Sequence, residues 1–567
     1  MRKTLFALLI LVTGALAGTA APVAAQGRDA PMAVGLSGVR DWSTQQPFID
    51  VMKTARRWIG HKPGQWGGVH FDELEARGIL DENGWPTSVP HDLSSIGTLI
   101  LTDLPSDAEA YAGRYRLRFE GDGIIEVSGR AENVRYGRNE VRFDFTPGEG
   151  FVMLRIQRTD RRRTGDYLRN VSVVKLEHEK RWQAGEVFNP RWLAHLEGFG
   201  ILRFMDWMNT NDSKQGDWTT RPRVADFSYT RYGVPIEVMI DLANRLGADP
   251  WFNIPHLADD RYVRAFAELT RQRLDPDLRA HVEFSNEVWN WQFDQTHWAD
   301  RKAMARWGVE HQGVQYYALR ATEVARIWSD VFAADPARLV NVIATQTGWL
   351  GLEHLILEAP LWVKEDPARN RPPADHFDAY AVTGYFGGAL GTDDLVGTVR
   401  RWIAQSREEA RQQAEAKGLA GEALDSYVTA HRYDAAVQRA ARELADGSET
   451  GEPEQSVADL LDRVLPYHAD IAREHGLDLV MYEGGTHVVG IGPHVNDRDL
   501  TEFFIHLNYS PEMGDLYRRL MAGWEDLGGR AFNVFVDVKK PGKWGSWGHL
   551  RHLGDENPRW TAVTEFR

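Results

Sequence analysis

The chain has 567 residues, 43% of them hydrophobic and 26% charged, with a formal net charge of −15. This composition belongs to a folded globular protein of two or three domains and excludes a disordered or fibrous chain. The acidic balance argues against a nucleic-acid partner, which calls for a basic footprint. With no cysteine, disulfides and a lipid-modified cysteine at the N-terminus are excluded as well.

Residues 1–25 have a basic start, an apolar run from Leu5 to Val12 and a small-residue stretch ending at Ala25. This is the pattern of a secretory signal peptide cleaved after Ala25. The apolar run is short for a membrane span, and no later segment is long and apolar enough. The mature protein is therefore expected to be soluble and exported, periplasmic or extracellular, with no membrane contact after cleavage.

MAVGLSGV (32–39) reads as a first strand. PFIDVMKTARRWIG (47–60) has helical spacing, with Phe48, Val51, Met52, Ala55, Trp58 and Ile59 on one face. Residues 26–84 then form a first strand and helix. From about 85 to 180 the period becomes two. Tyr115, Leu117 and Phe119 alternate with arginines, and Val141, Phe143 and Phe145 alternate with polar residues. That predicts an inserted antiparallel β-sandwich, either carbohydrate-binding or a structural buttress.

From Asn189, a capping residue followed by Pro190, strands and helices alternate. The strands are ILRFMDW (201–207), DPWFNIPH (249–256), AHVEFSNE (280–287), LVNVIATQ (339–346), FDAYAVTGYF (377–386), LDLVMYEG (477–484) and AFNVFVDV (531–538). With the first strand they make eight. The pattern predicts a (β/α)8 TIM barrel over the first strand and residues 181–567, carrying the sandwich after its first strand. A two-domain doubly wound fold is the alternative. The Glu- and Ala-rich stretch 400–460 reads as a helical insertion.

Catalytic groups of such barrels lie at the C-terminal ends of the strands. The fourth strand ends Ser285-Asn286-Glu287 and the seventh Tyr482-Glu483-Gly484-Gly485. Either pattern alone is weak, because most such residues are caps or surface groups. Two glutamates on one rim are what glycoside hydrolysis needs. One protonates the leaving oxygen, and the other attacks or activates water. Trp289 and Trp291 crowd Glu287, and indole surroundings make a carboxylate costly to ionise. Asn286 is placed to hydrogen-bond a sugar 2-hydroxyl. The 21 tryptophans offer flat faces to sugar rings, although tryptophan fills cores just as readily.

VEFSNEVWN and MYEGG resemble the fourth- and seventh-strand motifs of clan A glycoside hydrolases, the retaining (β/α)8-barrel glycosidases. The resemblance covers about residues 32–42 and 185–560. It implies Glu287 as acid/base and Glu483 as nucleophile. It further implies that Arg203 steadies the nucleophile, that Tyr385 hydrogen-bonds it, and that His256 contacts substrate or acid. Trp544 or Trp547 is similar to the clan's tryptophan platform, and Trp289 is a candidate subsite wall. Tyr380 competes with Tyr385, and Arg203 and His256 could instead be rim residues. The insertion before the seventh strand and the sandwich after the first depart from the clan pattern. The layout also resembles exported bacterial proteins loosely labelled cellulose-binding, a label that fixes no substrate.

The sequence has no HExxH, no P-loop and no dinucleotide fingerprint. NTNDSKQGD (209–217) is rich in oxygen ligands but lacks EF-hand spacing, so no metal and no cofactor are expected. The expected partner is a carbohydrate substrate. The acidic net charge favours a neutral β-glucan, mannan or xylan. The competing function is a non-catalytic glycan-binding protein on a glycosidase-like barrel. A lyase or esterase is a weaker reading, because no Ser-His-Asp order is evident.

Overall fold

The structure, a computed structural model, describes residues 31–567; the signal-peptide expectation for residues 1–25 lies outside them. Eight parallel strands close into a barrel in chain order. They are Met32–Gly35, Ile201–Arg203, Asp249–Ile254, Ala280–Phe284, Leu339–Ala344, Ala379–Phe386, Asp478–Thr486 and Ala531–Phe535. Closure is made by the first strand. Ala33 pairs with Ile201 on one side and with Asn533 on the other.

The sequence explains these elements locally. Ile236–Leu246 is a helix whose Val238, Met239, Leu242 and Ala243 are buried, and it stops at Gly247, left-handed at φ 64°. Glycine suits that position because a Cβ is disfavoured there. Asn189 caps Pro190–Leu196 by accepting from Arg191 N–H, as expected. The stretch before the seventh strand is helical, with Asp393–Ala416, Glu422–His431 and Asp434–Asp446 packed together on the outside of the barrel.

The inserted domain is two antiparallel sheets. The four-stranded sheet runs in the order Arg169–Lys175, Gly113–Glu120, Glu140–Phe145 and Glu132–Gly137. The five-stranded sheet runs Gly68–Val69, Ile59–His61, Ser95–Ile100, Val152–Thr159 and Gly123–Gly129. The first two strands of the second sheet precede residue 85. Of the expected helix over 47–60 only a 3-10 turn at Val51–Thr54 exists, and its last residues belong to the strand Ile59–His61. The apolar residues there are spaced like a helix face but are buried by different neighbours. Phe48 packs on Trp207 and Tyr229, while Trp58 stacks on Phe227. Burial between two domains, not one amphipathic face, sets that spacing.

The same segment fastens sandwich to barrel. The Asp50 carboxylate accepts from the N–H groups of Met52 and Val173 at 3.0 and 2.8 Å. Tyr111 of the sandwich donates to the Thr44 carbonyl and accepts from Leu553 N–H. The sandwich therefore sits against the loops that follow barrel strands one, two and eight.

Candidate active site

The fourth strand has period two. Val282 and Phe284 point out to the helices, and Glu283 points into the barrel. After Phe284 the chain turns sharply, with Ser285 at φ 62° and Glu287 at φ 41°. Non-glycine residues in this region are strained and persist where the surroundings fix them. The turn holds Glu287 at the rim, half-buried. Its carboxylate accepts from Tyr482 OH and Asn290 Nδ2, each at 3.0 Å.

The seventh strand shifts register between Met481 and Gly484 against its neighbour. Such bulges re-aim side chains, and here both Tyr482 and Glu483 face the cleft. The two glycines that follow have steric reasons. A Cβ on Gly485, at φ 133°, would strike the Tyr517 hydroxyl, and one on Gly484 would strike Met481.

Glu483 is 5% exposed. One carboxylate oxygen accepts from Arg203 Nη1 at 2.7 Å, the other from Tyr385 OH at 2.8 Å. Tyr380, the competing tyrosine, is buried and bonds to His468 instead. Arg203 lies between the rings of Trp251 and Tyr482, with centroids at 5.6 and 5.3 Å. Its second nitrogen donates to Asn286 Oδ1 at 2.8 Å and to Glu283 Oε2 at 3.0 Å. Glu283 also accepts from Trp251 Nε1 and Asn253 Nδ2. Burial opposes the Arg203 charge, but Glu283 and Glu483 more than offset it, so its pKa is raised. The guanidinium is a permanent cation shared by two buried carboxylates.

Burial pushes the Glu483 carboxyl up to about 8, with Arg203 pulling it down, Glu287 pushing it up and Tyr385 pulling it down. The two carboxyl groups sit in unequal environments. Glu483 faces a cation and a hydroxyl donor; Glu287 faces two neutral donors. The Arg203 cation and the Tyr385 hydroxyl favour the charged form of Glu483 against its burial. Tyr385 is held far above its usual pKa by burial and by Glu483, so it stays a donor.

Of the expected site residues, Glu287, Glu483, Asn286, Arg203 and Tyr385 are brought together. Asn286 turns its side-chain oxygen to Arg203 and donates to Asn211 Oδ1 at 3.1 Å. Trp547 is half-buried and packs edge-on against Tyr385 and His487, at 6.0 and 5.2 Å. Trp544 stands apart. It is 69% exposed, and its ring neighbour is the Lys543 ammonium. Of the two candidate platforms, then, only Trp547 belongs to the group around the nucleophile. Trp289 is buried edge-on to Tyr317 and Tyr482. It also lines a cavity of about 420 Å³ with the exposed Trp291 and Trp349. His256 is buried, with Nδ1 unpartnered and the Trp298 ring edge-on at 5.5 Å. Burial pushes its pKa down to about 4, so it is neutral at pH 7, and its recorded ring contact is Trp298 rather than either rim carboxylate.

The oxygen-rich 209–217 loop is engaged with protein. Asn209 Oδ1 accepts from Arg40, Asp212 Oδ1 from Asp294 N–H, and Asn211 Oδ1 from Asn286 and Gln295. Sequence reasoning missed Glu283, Trp251, Tyr482, Asn290 and His487. Glu283 did leave a signal, since it is a charge at an inward position of an otherwise apolar strand. Tyr482 left none, because the bulge that turns it inward is not a sequence pattern.

The closed parallel barrel with two glutamates at the C-terminal ends of strands four and seven defines the class of scaffold. No family model matches the chain, and none of the curated proteins does. Similar solved structures include an endo-1,4-β-D-xylanase of Clostridium thermocellum with CBM22-1 and GH10 modules. It is 10% identical, with TM-score 0.33, over 92% of this chain and 96% of that one. An endo-β-1,4-mannanase from Thermotoga petrophila is 12% identical, TM-score 0.31, over 66% and 71%. An endoglucanase from Pseudomonas stutzeri is 12% identical, TM-score 0.27, over 66% and 82%. Likeness at this level says nothing of activity. The barrel rests on its own strand pairing and the site on its own geometry.

Proposed function

We propose that the protein is an exported retaining β-glycosidase acting on a polysaccharide or oligosaccharide with a β-glucan, mannan or xylan type of backbone. One observation carries this reading: Glu483 is clamped between the Arg203 cation and the Tyr385 hydroxyl, facing a Glu287 held only by neutral donors. A binding protein has no need of two carboxylates in such unequal environments. In the reaction, the Glu483 carboxylate attacks the anomeric carbon. Glu287 gives its proton to the departing glycosidic oxygen. Water then displaces Glu483, and Glu287 takes the water proton back. Each step conserves charge between the two carboxyls, and no cofactor enters. Arg203 and Tyr385 hold the nucleophile's lone pairs until attack.

The decisive experiment is Glu483→Ala. Turnover of an activated aryl β-glycoside falls by about 10⁴-fold or more, and azide restores part of it as a glycosyl azide. An intact fold with no azide rescue would remove the nucleophile role. Tight binding of a glycan that the wild-type protein never cleaves would favour the non-catalytic reading.

A further inference from the structure

Between the segment 40–57 and the loops after the second barrel strand lies a cavity of about 460 Å³. Its wall is basic, although the chain as a whole is acidic. Several of its cations are neutralised. Arg56 is paired with Asp41 at 2.8 Å, Lys214 with Asp294 at 2.6 Å, and Arg231 with Glu75 and Asp226. Two are not. Arg40 donates to the Val39 carbonyl at 2.7 Å and to Asn209 Oδ1 at 3.2 Å, with no carboxylate in ion-pair range among the described residues. Arg57 donates to the carbonyls of Thr230 and Arg231 at 3.4 and 2.7 Å, and its nearest carboxylate, the exposed Asp72, is 3.9 Å away. Neutral carbonyls fix the position of these guanidiniums, and their charge is offset only in part, by Asp206 and Asp41 near Arg40 and by Asp72 near Arg57. Arginine held this way is suited to bidentate capture of a planar anion. Trp42, 51% exposed, lines the same cavity, with the Arg56 guanidinium 5.7 Å from its ring.

The cavity joins the catalytic centre through Asn211. That side chain lines the cavity and accepts from Asn286, which in turn binds Arg203. Asp212 also lines the cavity, but its carboxylate accepts from Asp294 N–H at 2.7 Å.

We infer that this cavity is a subsite for a carboxylated sugar, a hexuronate unit of a β-linked glycan, with Arg40 and Arg57 on its carboxylate and Trp42 beside its ring. The local charge of the cleft decides this, overriding the net charge that favoured a purely neutral glycan. The inference rests on the glycosidase reading only for its place in the cleft.

The test compares uronate-bearing β-glycan oligosaccharides with the same oligosaccharides after carboxyl reduction, and with sulfated ones of the same backbone. Calorimetric affinity and kcat/KM are both measured on the mature protein. The carboxylated form is preferred by about tenfold or more, and the preference ratio collapses toward one in Arg40→Met and in Arg57→Met. Arg57 is exposed, so its variant keeps the test valid if the half-buried Arg40 variant misfolds. Equal affinity for native and reduced forms overturns the subsite, as does a preference that survives Arg57→Met. Better binding of the sulfated form overturns the carboxylate assignment. Arginine-dependent binding of the uronate form without any cleavage supports the subsite and sinks the glycosidase reading. Cleavage without charge preference does the reverse.

Discussion

Replacing Arg203 by methionine tests the centre of the site. Methionine keeps the stem and deletes the only cation bonded to Glu283 and Glu483 among the described residues. Removing one partner of a buried ion pair destabilises by about 3–5 kcal/mol, because the other charge is left uncompensated. Here two carboxylates are left, but they can take up protons. Arg203 pulls down the pKa of both groups, which burial has already raised. Without it both folded-state values rise further above 4.5. The folded variant then keeps protons that the unfolded chain releases, so its stability relative to wild type falls as pH increases. The deficit is smallest below pH 4.5 and grows through pH 8. Urea denaturation at pH 4.5 and pH 8 measures it. Catalysis suffers separately, because Glu483 loses a charge-assisted hydrogen bond worth about 1.5–3 kcal/mol, and kcat/KM falls by about 10- to 100-fold or more. Adding Glu283→Gln removes one stranded charge, so it recovers part of the stability and none of the activity. A stability loss equal at both pH values, or a variant with wild-type kcat/KM, would refute the shared-cation argument.

Tyr385→Phe removes the other donor to Glu483 and nothing larger; kcat/KM falls by about 10- to 100-fold with little change in melting temperature, and an unchanged rate would show that the hydroxyl is idle. Trp547→Ala lowers kcat because the ring packs on Tyr385, whereas Trp544→Ala alters at most KM; separate kcat and KM values for both variants decide, and equal effects would contradict the assignment. Asp50→Asn keeps the oxygen that accepts from Met52 and Val173. Burial has raised the Asp50 carboxyl to about 6, against Lys53, so wild type loses stability as pH rises from 3.8 to 6. The variant therefore gains on wild type across that window, by about 3 kcal/mol, and the gain is level above it; thermal melts from pH 3.5 to 8 would show an opposite slope if the reasoning were wrong.

Much of this molecule was legible in its sequence. All eight barrel strands appear as short apolar runs in the right order, because a strand buried on both sides must be apolar. Glu287 and Glu483 stood out as a pair, because each ends an apolar strand and the strand count puts both on one rim. Arg203 was found through the resemblance to clan A. The 47–60 segment misled because burial by two domains imitates a helix face. Trp544 and Trp547 were indistinguishable in GKWGSWGHL, since their contrasting exposure is set by which ring meets Tyr385.

By itself the sequence determined the elements, the alternation and the two carboxylates, since period, capping and apolar runs are local properties of a chain. Only the tertiary structure gave the two carboxylates unequal partners. That depends on Arg203, 280 residues from Glu483, being brought to one oxygen and Tyr385 to the other. Only the tertiary structure, too, placed Arg40 and Arg57 beside one cavity, held by backbone carbonyls. Net charge is a sum over the chain, whereas a cleft feels only the charges that folding has put within a Debye length and left unpaired.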